Sequence, residues 1–122
     1  MASSASKIVW LFVILSLALT HTLATEFEVG GNLGWTVGVD VREWWRAKII
    51  QVNDTFHFRF KSPCTVAVVD EVGYLTCDSS KAQINDGSGS FSYTFNTTGK
   101  VSFISAGAGD CEAGLKMQVF VL

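Results

Sequence analysis

Apolar and polar positions alternate with period two along most of the chain. Phe56, Phe58 and Phe60 take turns with Thr55, His57 and Arg59, and Phe91, Tyr93 and Phe95 with Ser92, Thr94 and Asn96. Near the end, Leu115, Met117, Val119 and Val121 form one face and Lys116 and Gln118 the other. Successive side chains of a strand point to opposite sides, so this alternation predicts half-buried strands. Val66-Ala67-Val68-Val69 is apolar throughout, which predicts a central strand covered on both faces. Segments 26–29, 49–52 and 101–105 bring the count to about seven short strands, at the spacing of a β-sandwich. Gly30-Gly31-Asn32, Asn53-Asp54, Asp86-Gly87-Ser88-Gly89 and Thr98-Gly99 supply the turns between them. The expected class is all-β with one or two short helices, of which only 41–47 is visible in the pattern.

The start of the chain follows another rule. Lys7 precedes an apolar run over 8–19, and Thr22-Leu23-Ala24 offers small residues at the −3 and −1 positions of a cleavage site. Residues 1–24 therefore read as a secretory signal peptide and 25–122 as one small domain. A membrane span needs about 20 apolar residues and this run is shorter, so no transmembrane segment is expected after cleavage. The last strand reaches the final residue without the spacer and hydrophobic tail of a lipid-anchor signal, so the product is expected to be released. Losing Lys7 takes the formal charge from −2 to −3. With no basic face, nucleic acid is excluded as a partner.

A domain of this size buries only about 60–65% of its unfolded surface, so a covalent staple helps it. Secretion places Cys64, Cys77 and Cys111 in an oxidising compartment, where one disulfide and one leftover thiol are expected. The same address makes Asn53-Asp54-Thr55 and Asn96-Thr97-Thr98 glycosylation sequons.

Val29-Gly30-Gly31, Gly34-Trp35, Trp44, Lys48, then Val52 and Asp54 before an aromatic strand resemble the opening of the phytocyanins, plant extracellular cupredoxins. Tyr74-x-x-Cys77 and the stretch from Phe103 to Lys116 agree, so the resemblance covers essentially all of 25–122. It implies a cupredoxin-like Greek-key β-sandwich with a disulfide between Cys77 and Cys111. Connectivity does not follow from sequence alone, and Cys64–Cys111 is the main rival.

Blue copper sits between two imidazoles and a thiolate, with a weak axial donor. In copper-binding phytocyanins a histidine follows the aromatic strand, and cysteine, histidine and Met or Gln come five residues apart on the closing loop. Those positions fall here on Cys64, Ser105, Asp110 and Leu115. A hydroxyl, a hard carboxylate and an alkyl group replace three donors. Independently of the family, His57 is the one histidine left once His21 departs with the leader, so one chain cannot supply two imidazoles. His57 alternates with Phe56 and Phe58, which marks it as a structural histidine at or near the surface. No metal or other cofactor is expected. The loop keeps its glycines and Cys111, a pattern most like the early nodulin-like branch of the family.

Ser105, His57 and Asp110 have the residue types of a hydrolase triad. However, no G-x-S-x-G elbow is present and nothing brings the histidine to the serine, so an enzyme is not expected. Cys64 reads as a small buried hydrophobe, with intermolecular pairing or another internal bridge as alternatives. Trp35 and Trp44 match framework positions. Trp45 points about 100° away from Trp44 on a helix and is the candidate exposed aromatic. The expected function is a secreted, non-catalytic module of the plant cell surface or wall. Its partner, an extracellular protein or cell-wall glycan, would meet Cys64, Trp45, Ala106, Ala108 and Leu115. The alternative is blue-copper-type electron transfer.

Overall fold

A computed structural model describes residues 23–122. The expected leader lies outside the described residues except for Leu23 and Ala24, and His21 lies outside with it. Seven strands form two sheets: β1 (Glu26–Glu28), β2 (Thr55–Arg59), β3 (Val66–Val69), β4 (Ile84–Asp86), β5 (Ser90–Thr94), β6 (Gly99–Ile104) and β7 (Lys116–Val121). One sheet runs β1-β2-β5 and the other β4-β3-β6-β7. β1 lies parallel to β2, and every other ladder is antiparallel. Two short helices complete the fold, α1 (Val41–Arg46) and α2 (Glu71–Thr76), with a 3-10 turn at Gly31–Leu33.

The alternating phenylalanines do what their period demands. Phe56, Phe58, Phe95 and Phe103 are almost fully buried between the sheets. They meet mostly edge to face, with Phe56 and Phe95 centroids 4.8 Å apart at 88°, an arrangement the ring quadrupoles favour. β3 is buried at all four positions. Val66 and Val68 face this main core. Ala67 and Val69 face a second, smaller core with Ile104, Cys111 and Tyr74. Gly73 lets α2 lie close over that outer face: a Cβ there would stand 2.9 Å from the Val69 Cβ. Asp70 caps α2 by accepting the Gly73 N–H at 2.8 Å. A disulfide between Cys77 and Cys111 joins the end of this helix to the loop before β7.

Two expectations need correction. Segment 49–52 is not a strand; only Ile50 bridges to Val121. The Asp54 carboxylate takes the Gln51 N–H at 2.9 Å and folds the chain into a turn instead. Conversely, Ile84–Asp86, overlapping the expected turn, is a strand because it finds Val66–Val68 as a partner.

The sandwich has two distinct ends. At one, Asn53 donates its N–H to the Phe95 carbonyl at 2.7 Å, and the Leu122 N–H donates to the Ile50 carbonyl. At the other, Trp35 bonds Arg59 through its backbone N–H and Thr65 through its indole N–H. That second end carries the loop between β6 and β7.

Candidate functional site

The loop starts where the β6–β7 ladder stops, at the Ile104–Lys116 pair. Tight turns fold it: the Asp110 N–H donates to the Gly107 carbonyl, the Gly114 N–H to Cys111, and the Leu115 N–H back to Asp110. At its centre the Ser105 Oγ donates to Asp110 Oδ2 at 2.7 Å. Both residues are buried, at 1% and 8% exposure. The same Oγ accepts the Thr65 N–H at 3.0 Å and, more weakly, the Gly107 N–H at 3.4 Å. The Thr65 hydroxyl accepts the Ala106 N–H at 2.9 Å, and its carbonyl accepts the Trp35 indole N–H at 2.8 Å. Three chain segments are thus laced together by one serine, one threonine and one carboxylate.

Gly107 makes the arrangement possible. A Cβ at this position would collide with the Asp110 carboxylate and stand 2.7 Å from the Pro63 carbonyl. Cys64, half-buried and outside the disulfide, lies beside the cluster. Burial, and then the Asp110 carboxylate as acceptor and as a like charge, push its pKa above the ordinary 9.0. Ser105 and the Val37 backbone oppose that shift more weakly. At neutral pH the sulfur is therefore a protonated thiol rather than a thiolate.

The structure brings Cys64, Ser105 and Asp110 together and separates the other expected site residues. Ala106 and Ala108 are exposed at the loop end. Leu115, expected on the partner surface, is 1% exposed and belongs to the main core. Its phase with Met117 and Val119 on β7 decides this. Trp45, expected to be exposed, is half-buried like Trp44. It packs on Phe120 with centroids 6.2 Å apart, over the face of β7 that period two leaves open. Trp35 is fully buried. His57 stands on the outer face of the β1-β2-β5 sheet, 2.6 Å from Ser92 Oγ and 3.1 Å from Glu26 Oε1. Asn53 and Asn96 are exposed at the far end.

Sequence reasoning missed Thr65, whose role exists only once three segments meet. It also missed the exposed apolar side chains Leu33 and Val37, 75% and 45% accessible. The Val37 backbone lies beside the Cys64 thiol, and Leu33 lines one cleft with Trp35 and Arg59, which places both at the loop end. A cleft of about 570 Å³ opens there, lined by Leu33, Trp35, Arg59, Phe60 and Lys61.

The donors do not suit a blue-copper centre. The cluster offers a protonated thiol, a hydroxyl and a carboxylate bonded to that hydroxyl, where two imidazoles and a thiolate are needed. The imidazole of His57 is engaged on the other sheet. Among the described residues no three His, Cys, Asp or Glu side chains converge to hold a metal.

A plastocyanin-like domain model matches residues 35–115, about two thirds of the chain and the whole of this cluster. The chain belongs to the phytocyanin family. Uclacyanin-3 of Arabidopsis thaliana is 36% identical over 105 residues, which are 86% of this phytocyanin and 47% of that protein. Early nodulin-like protein 5 of the same plant is 32% identical over 128 residues, covering 100% of this chain and 68% of the relative. Among solved structures, cucumber basic protein, a blue copper protein, superposes with a TM-score of 0.73 at 29% identity. That match covers 80% of this phytocyanin and 100% of the cucumber chain, and it makes the sandwich cupredoxin-like. The chain thus spans about half the length of uclacyanin-3. Uclacyanins and early nodulin-like proteins resemble it at similar identity, so the family follows and the branch does not. Phytocyanins are typically non-catalytic electron carriers and typically extracellular.

Proposed function

We propose that this phytocyanin is a secreted, non-catalytic module of the plant cell surface or wall. It is of the early nodulin-like kind, has lost the copper site, and binds an extracellular protein or cell-wall glycan. The bond from Ser105 Oγ to Asp110 Oδ2 carries this reading. The residues at the expected thiolate and imidazole positions satisfy each other in a buried site, so copper would have to break a charge-assisted bond to find oxygen at both of those positions. The partner surface is the loop end, where Ala106, Ala108, Leu33 and Val37 present small and apolar groups. Arg59 and Lys61 rim the neighbouring cleft.

The test is titration of the purified, oxidised protein with Cu(II). The expected outcome is no intense visible charge-transfer band and no tight one-to-one uptake. Ala106→Asp with Ala108→Asp, both at exposed positions, is expected to weaken partner capture without lowering stability.

Electron transfer is the second reading, and the likeness to a blue copper protein favours it. It requires a metal held by Cys64, Asp110 and a donor from a second chain. A reversible redox couple in the titrated protein would establish it and defeat the first reading.

A further inference from the structure

The backbone nitrogen of Thr25 lies 2.9 Å from Asp54 Oδ1. The other carboxylate oxygen, Oδ2, accepts the Gln51 N–H at 2.9 Å. Asp54 is 4% exposed, and among the described residues no lysine, arginine or histidine pairs with it. A buried carboxylate held only by neutral amides is costly, because no opposite charge replaces the water it gave up. Thr25 is also the residue that follows the leader pattern Thr22-Leu23-Ala24.

We propose that removal of the leader supplies the missing charge: the new α-ammonium group of Thr25 forms an ionic pair with buried Asp54. The proposal rests on the secreted reading. A peptidase of the secretory pathway adds water across the Ala24–Thr25 amide. Ala24 leaves with the new carboxylate, and the carboxyl proton passes to the amine that Thr25 keeps. A nitrogen that donated one hydrogen as an amide then carries three and a full positive charge. Its position holds, because the Thr25 carbonyl still accepts the Thr55 N–H at 3.0 Å and keeps β1 against β2. Maturation and folding are thereby coupled, and the pair fastens the first strand to the turn that opens the second.

Neighbouring titratable groups are few. Glu26 on β1 faces His57 on β2 at 3.1 Å. Lys48, after α1, sits over the Trp44 ring. Thr94 on β5 and the residues 96–98 beyond it are uncharged. These groups are the same whether or not the amine is free, so chemical blocking of the amine isolates the pair.

Two oxidised proteins beginning at Thr25 are compared, one with a free amine and one acetylated. In the free form the α-amino pKa, followed by NMR, is expected about one unit above the ordinary ~7.7–8.0, a tenfold gain in proton affinity. A group whose pKa is raised by folding adds stability in full below its unfolded value and loses it as pH rises through the folded value. The urea midpoint of the free form should therefore exceed that of the acetylated form at pH ~6, and the gap should close above the raised pKa. In an Asp54→Asn background the gap should vanish. If that variant does not fold, the two wild-type forms suffice. An ordinary α-amino pKa, or equal midpoints at pH ~6, overturns the pair. N-terminal sequencing of the secreted protein is expected to begin at Thr25, and any other first residue overturns the processing assignment. Copper uptake or partner loss moves none of these readouts, so this inference and the proposed function fail separately.

Discussion

Ser105→Ala removes one oxygen from the interior and breaks two strong bonds, along with the weaker one from the Gly107 N–H. The Thr65 N–H loses its acceptor at 3.0 Å, and Asp110 Oδ2 loses its donor at 2.7 Å. A hydrogen bond to a charged group is worth about 1.5–3 kcal/mol, and an orphaned buried donor costs about 1–3 kcal/mol. Thr65 is half-buried, so water recovers part of its loss, whereas Asp110 at 8% exposure recovers little. The expected destabilisation is about 2–4 kcal/mol, a large share of the 5–15 kcal/mol typical of a domain. Urea unfolding of the oxidised protein measures it as a lower midpoint at unchanged slope. A melting temperature lower by at least about 10 °C should accompany it. A double-mutant cycle with Asp110→Ala should show coupling of at least about 0.5 kcal/mol, since both single changes break the same bond. A loss below about 0.5 kcal/mol for Ser105→Ala, or full additivity in the cycle, would refute the cluster as the organiser of this loop.

Replacing Cys77 and Cys111 together by alanine should cost about 4 kcal/mol by the loop-entropy relation, for a bridge spanning 34 residues; chemical denaturation checks this. Gly107→Ala forces the Asp110 carboxylate and the Pro63 carbonyl aside and should cost about 1–3 kcal/mol. Part of that loss should disappear in an Asp110→Ala background. Alkylation of Cys64 should reach half its limiting rate only above pH 9.0, because burial and Asp110 both raise its pKa. The neutral thiol's share of stability is complete below 9.0 and is lost as pH climbs through the raised value, so Cys64→Ser should flatten the alkaline limb of the stability curve. A half-maximal rate below 9.0 would contradict that environment.

The strands that carry the aromatic core were legible because period two assigns each side chain a face without reference to its partners. β3 was legible for the opposite reason, since an unbroken apolar run needs cover on both sides, and α2 supplies it. The helix itself was not readable: two turns that include Gly73 have little intrinsic propensity, and it forms because that glycine allows close approach to β3. Ile84–Asp86 and segment 49–52 exchanged roles for a similar reason. Turn chemistry in the first yielded to a free edge on β3, while an aspartate side chain in the second outcompeted the ladder. At the site, the spacing carried over from the family located Cys64, Ser105 and Asp110. The expected partner surface wrongly included Leu115, whose phase on the last strand already placed it in the core. Thr65 left no trace in the pattern, because its bonds reach Trp35, Ser105 and Ala106 across 30 to 41 residues of sequence.

Asn53 and Asn96 stand side by side, joined through the Phe95 carbonyl, at the end away from Ser105. Any sugars attached there would gather into one hydrated brush at the foot of the molecule and leave its head bare. Such a molecule would be crowded from below and open above, so the brush would hold neighbours off the foot while the Ala106–Ala108 tip stays within reach of whatever it meets.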